Sequence, residues 1–159
     1  MAESLMTSLA ERGHQVDVVT HFPMKKPIPN YTEISVAGSL ETVVNNMFAE
    51  NITNFNANNM QLLIQAAGIK TCNLLGLPKI QQLIKNPPND PPYDVVIVEL
   101  FVSPCFLALG RHLNATLVGM VTSDFHDWLR DKTGNPNNPA FIPSLFSDFV
   151  PRMTFWDRL

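Results

Sequence analysis

Residues 93–112 read YDVVIVELFVSPCFLALGRH. Val95, Val96, Ile97 and Val98 are four consecutive β-branched residues, the pattern of a strand covered on both faces, as in a parallel sheet. Glu99 interrupts the run where that strand would end. Ser103 is placed to cap a helix with Pro104 at its first position, where the missing N–H costs nothing. The helix would turn Phe106, Leu107, Leu109 and Leu113 toward the sheet. It would stop at Asn114, a residue that tolerates the left-handed conformation. A second apolar strand, 116–121, follows. Strand, helix and strand within about 30 residues make a right-handed βαβ unit. Ligands of such sheets sit beyond the carboxyl ends of the strands, so Glu99 is the leading chemical group of the sequence.

Outward from this unit the same class persists: α/β, a Rossmann-like parallel sheet with flanking helices. Leu5, Met6, Leu9 and Ala10 form a helical stripe that ends at Gly13. A strand over 15–20 comes next, and Thr32 to Val36 alternate as a third, more exposed strand. Helix then strand is the second half of a βαβ unit, and the strand that should open it is missing from the chain. Strands 15–20 and 93–98 would therefore either face a gap or pair directly. A gap leaves ladder groups without partners and predicts an aggregation-prone isolated chain.

Two amphipathic helices are expected over residues 39–68. One is capped by Ser39 and carries Leu40, Val43, Val44, Met47 and Phe48; the other carries Met60, Leu63, Ile64 and Ala67. A shorter helix after Pro78 carries Ile80, Leu83 and Ile84. NPPNDPP at 86–92 is a surface loop and not a domain linker, because the apolar elements on its two sides need each other. The Pro-, Asn- and aromatic-rich end reads as short helices and ordered loops over the end of the sheet.

The chain has 159 residues, 45% hydrophobic and 16% charged, enough for one domain with a real core. A net charge of −3, with no basic cluster beyond Lys25 and Lys26, argues against nucleic-acid partners. No apolar run approaches the roughly 18 residues of a membrane span, and no secretory leader is read at the start. Cys72 and Cys105 both lie in apolar helical patterns, where a buried free thiol is the usual state. Sequons at Asn30, Asn51 and Asn114 are short enough to arise by chance and, without a leader, carry little weight.

Neither GxGxxG nor GxxxxGK occurs. The cysteines and histidines lack metal-ligand spacing, and Asp124, His126 and Asp127 read as cap and loop residues before they read as ligands. His14 lies at an amino end of the sheet. His21 and His126 lie at carboxyl ends, where a general base would work, though a loop histidine is the ordinary reading. Glu99 has a plain reading too, as a helix cap or the partner of an arginine. Phe101, Phe125 and Trp128 flank the same side and either line an apolar pocket or pack the core.

LAERGHQVDVVTHFP at 9–23 resembles the helix–strand signature of family 1 UDP-glycosyltransferases, the UDP-glucuronosyl/glucosyltransferase family. Residues 93–113 resemble the family's central strand and helix. GNPNNPAFIPSLFSDFVPRMTFWDRL at 134–159 is most similar to insect members. The resemblance implies the amino-terminal, acceptor-binding half of a two-domain GT-B enzyme held at the endoplasmic reticulum membrane, facing the lumen. It implies a UDP-sugar donor, with glucose favoured by the insect likeness, and small lipophilic acceptors. No cofactor is implied; the UDP-sugar is a substrate, bound mostly by a carboxyl-terminal domain absent from this chain, as is the membrane anchor.

In the family a histidine deprotonates the acceptor and a carboxylate orients it. The histidine would lie before residue 1. Glu99 is the closest match to the carboxylate, which is usually Asp on the following loop. Phe101, Phe125 and Trp128 would contact the acceptor. Two rival readings are a non-catalytic module for lipophilic ligands and a truncated product that does not fold alone.

Overall fold

The computed structural model describes residues 1–40, 61, 64–122, 126–136, 138 and 154–156. The helix expected over 40–48, the residues Met60, Leu63 and Phe125, and most of 134–159 lie outside the described residues.

Helix α1 (Ala2–Glu11) buries Ala10 and ends where Gly13 takes φ 92°, which only glycine adopts without strain. Strand β1 (Val16–Thr20) follows, and β2 (Tyr31–Ser35) enters through Asn30 at φ 62°. The two strands pair in parallel, Val16 opposite Tyr31 through Thr20 opposite Ser35. A π-helical turn, Ile64–Ile69, runs into α2 (Lys70–Asn73). Pro78 opens α3 (Pro78–Lys85) at the position where its missing N–H is harmless, and Ile80 is fully buried.

Strand β3 (Val95–Glu99), helix α4 (Ala108–His112) and β4 (Thr116–Met120) form the expected βαβ unit. β3 and β4 are parallel, with Val95 opposite Thr116 and Glu99 opposite Met120. Asn114 stops the helix at φ 51°, as its residue type predicts. Ser103 does not cap that helix. A 3₁₀ turn, Cys105–Leu107, intervenes, and neither it nor α4 has a side-chain cap. The short α5 (Asp127–Lys132) is the last helix in the element order of the described residues.

The apolar run of β3 predicts burial on both faces. Of β3 only Val98 is buried, while Val95 is 47% exposed and Val118 of β4 43%. A two-stranded ladder cannot cover its own outer faces, and α4 shields only part of one. Gly110 of α4 lets the helix approach β4 closely: a Cβ there would lie 3.0 Å from Leu117 Cβ.

Between the two ladders the gap alternative holds: among the described residues β1 and β3 share no ladder. They are tied by side chains. The Tyr93 hydroxyl, just before β3, donates to Asp17 Oδ2 of β1. Helix α3 reaches both units, with Lys79 Nζ donating to Ser35 O (3.2 Å) and Ile84 O accepting from His112 Nε2 (2.7 Å). No helix among the described residues is long and apolar enough to cross a membrane.

The two cysteines correct the sequence reading outright. They are not free thiols but a disulfide, Cys72–Cys105, with Cα atoms 5.7 Å apart. Apolar surroundings suit a thiol and a disulfide equally, so composition could not separate them. The fold does so by bringing α2 against the turn after β3.

Candidate functional site

The carboxyl ends of β3 and β4 build the site. After Glu99 the chain leaves the sheet through Leu100, Phe101 and Ser103; after Met120 it leaves through Val121 and Thr122. Leu100 N–H still donates to Met120 O (2.7 Å), holding the two exits side by side. Between these exits and α5 lies a cavity of about 350 Å³. Its wall is largely apolar, formed by Leu100, Phe101, Leu107, Val121 and Leu129, with Ser103, Thr133 and Asn135 supplying polar groups and Lys132 a cation. Gly119 is part of its floor because Leu100 packs over it; a Cβ at 119 would lie 3.0 Å from Leu100 Cγ. Few polar groups on an apolar wall is the composition of a small-molecule pocket.

Glu99 is the last residue of β3 and is exposed at that same end, though its side chain is not in the cavity wall. Thr122 Oγ1 donates to Glu99 Oε1 across the two strand exits. The hydroxyl fixes one carboxylate oxygen and leaves Oε2 open to a further donor. Neither an arginine nor a helix terminus holds Glu99 among the described residues, so neither plain role is seen.

Phe101 lines the cavity. Trp128 does not; its indole Nε1 donates to Phe101 O (2.8 Å) and so fixes the loop that carries the phenyl ring. His126 is buried, at 7% exposure. Its ring stacks on Trp128 (centroids 4.5 Å, 20° between planes) and lies 5.5 Å from Phe101. It precedes α5 and braces it, a role that its place at a strand end did not reveal. His21, at the end of β1, lies within hydrogen-bond reach of Ser39 Oγ (3.2 Å), and burial lowers its pKa from the usual histidine range. Ser39 Oγ in turn donates to Val36 O (2.5 Å), so the histidine nitrogen facing it is the donor. No group of metal-ligating side chains occurs among the described residues.

Sequence reasoning placed Glu99 and Phe101 at this end of the sheet and assigned the segment 122–146 to the acceptor pocket, without singling out Thr122, Lys132 or Thr133. Thr122 could have been found, since it follows β4 as Glu99 ends β3, and parallel pairing brings the two ends together. Lys132 and Thr133 carry no sequence signal and reach the site only because α5 folds back.

A parallel βαβ unit with an apolar cavity at its carboxyl ends defines a Rossmann-like unit. Comparison with known proteins gives its relatives. The chain is 32% identical to UDP-glucosyltransferase 2 of Dactylopius coccus over 165 residues, all of this chain and 30% of that protein. It is 28% identical to UDP-glycosyltransferase UGT5 and to UDP-glycosyltransferase UGT4 of the same insect, over 99% of the chain in each case. The chain is thus similar along its whole length to UDP-glycosyltransferases and spans about 30% of the length of these relatives. No family model matches the chain, and no solved structure does.

Proposed function

We propose that this chain is the acceptor-binding part of an enzyme that moves a sugar from a UDP-sugar to a small lipophilic acceptor. The observation that carries the reading is the apolar cavity at the carboxyl ends of β3 and β4, in a chain similar along its whole length to UDP-glycosyltransferases. The acceptor lies against Leu100, Phe101 and Leu129, and Trp128 holds the loop that carries Phe101. A histidine outside this chain takes the acceptor's hydroxyl proton. Glu99 Oε2 accepts that histidine's second N–H, fixing its tautomer and stabilising the imidazolium that forms. The freed oxygen attacks the anomeric carbon from the face opposite UDP, which leaves with inversion. The donor is UDP-glucose, as the name of one relative suggests. The reaction runs on the lumenal side of the endoplasmic reticulum membrane, a setting supported by the disulfide.

The test uses the full-length gene product in insect-cell microsomes, with UDP-glucose and a panel of phenols. Transfer is expected, and Glu99→Gln should lower kcat by roughly 10²–10⁴-fold with acceptor KM little changed. Acceptor binding without transfer would replace the enzyme with a binding module. Unchanged kcat in the variant would take Glu99 out of the mechanism.

A further inference from the structure

We propose that Asn114 is an N-glycosylation site, carrying an oligosaccharide at the amino end of β4, the end of the β3–β4 unit away from the cavity. Asn114-Ala115-Thr116 is a sequon. A glycan-bearing asparagine must keep its amide in water once the chain has folded. Asn114 does so. It is exposed, it sits in the turn between α4 and β4, and its side chain makes no hydrogen bond among the described residues. Thr116, also exposed, is the first residue of β4, and the turn is held by backbone bonds alone, from Ala115 N to Gly110 O (2.9 Å) and from Thr116 N to Asp94 O (2.9 Å). A glycan here displaces nothing.

Asn30 makes the contrast. It also opens a strand at positive φ within a sequon, but it is only half exposed and its side chain is used. Nδ2 donates to Ala10 O (3.3 Å), and Oδ1 accepts from Gln15 Nε2 (2.8 Å). A glycan on Nδ2 would pull the side chain away from α1. Asn51 lies outside the described residues.

The second, independent observation is the Cys72–Cys105 disulfide. Such bonds persist in oxidising compartments such as the endoplasmic reticulum lumen, where sequons are modified. In the transfer, Asn114 Nδ2 attacks the anomeric carbon of a lipid-pyrophosphate-linked oligosaccharide. The C–N bond forms as the bond from that carbon to the pyrophosphate oxygen breaks. The amide loses one proton, and the lipid pyrophosphate departs. The inference shares with the proposed function only its lumenal setting.

The experiment uses the full-length gene product from insect-cell microsomes, digested with trypsin. The peptide His112–Arg130 holds Asn114 and neither other sequon. In most molecules it should carry glycan mass, and a peptide N-glycosidase should leave Asp at 114. Thr116→Ala should abolish the modification and Thr116→Ser should keep it. Asn114→Gly, which preserves the left-handed helix stop, should abolish it without loss of folded protein. A bare peptide from protein whose cysteines are oxidised overturns this site alone. A bare peptide together with reduced cysteines overturns it along with the lumenal part of the proposed function.

Discussion

The β1–β2 and β3–β4 pairs are both five-residue parallel ladders, and each second strand is entered through an asparagine at positive φ. Beyond the ladders they diverge. After β1 the chain runs into an exposed, proline-containing loop, and among the described residues His21 there meets Ser39 and the Phe22 ring beside it. After β3 the exit is pinned by Thr122, by the Trp128 indole and by the disulfide at Cys105. Backbone pairing is the same in both, so the difference between the two ends comes from what closes them: an apolar cavity lies at the exit of β3 and β4.

Removing the disulfide should break this contrast most strongly. Cys72→Ser with Cys105→Ser frees a loop of 33 residues, and chain entropy alone predicts a loss of about 3–4 kcal/mol. Urea unfolding of the oxidised protein against the double variant measures it. A loss under about 1 kcal/mol would mean that the exit is held by Thr122 and Trp128 without the covalent link.

Gly110→Ala should cost about 1–3 kcal/mol, because the new methyl meets Leu117 Cβ, which cannot move without its strand. Gly76→Ala is the control. Nothing lies within 4 Å of its added methyl, and its midpoint should stay within about 0.5 kcal/mol of the parent. Equal effects would show that α4 does not press on β4.

The link between the two units is tested at Tyr93. Tyr93→Phe should cost about 1 kcal/mol by deleting the bond to Asp17. Burial first, then the Asp17 hydrogen bond and charge, hold the phenol's pKa well above its ordinary range. The folded chain thus keeps a proton that the unfolded chain releases near pH 10, and stability should fall as pH rises past 10. In Tyr93→Phe that part of the fall should vanish.

The smallest effect belongs to His21. Its pKa is lowered by burial, so near pH 6 the unfolded chain binds more protons than the folded one. Its stabilising contribution is complete above pH about 6.5 and declines as pH falls through that value. His21→Gln should flatten the midpoint's dependence between pH 7 and 5 slightly. An unchanged slope would place the acid sensitivity elsewhere.

The sequence by itself determined the elements of the second unit. Four β-branched residues, a polar stop at Glu99, a helix and an asparagine turn leave little choice but β3, α4 and β4, because these signals act over a few residues. It also placed Glu99 and Phe101 at the carboxyl end of β3, since the order of the elements fixes the strand's direction. Tertiary structure decided the rest. Cys72 and Cys105 are 33 positions apart with identical apolar surroundings, and only the packing of α2 against the β3 exit shows them bonded. Trp128 reads as a pocket wall until its indole is seen donating to Phe101 O. His126 reads as a partly exposed loop histidine, with a base as the lesser alternative, until it is found stacked and buried. Asn30 and Asn114 are the same motif in sequence; one is bound to α1 and the other stands in solvent. The disulfide, the Trp128 bond and the Asn30 bond each depend on a partner 20 or more positions away, and local residue pattern does not encode which distant group will arrive.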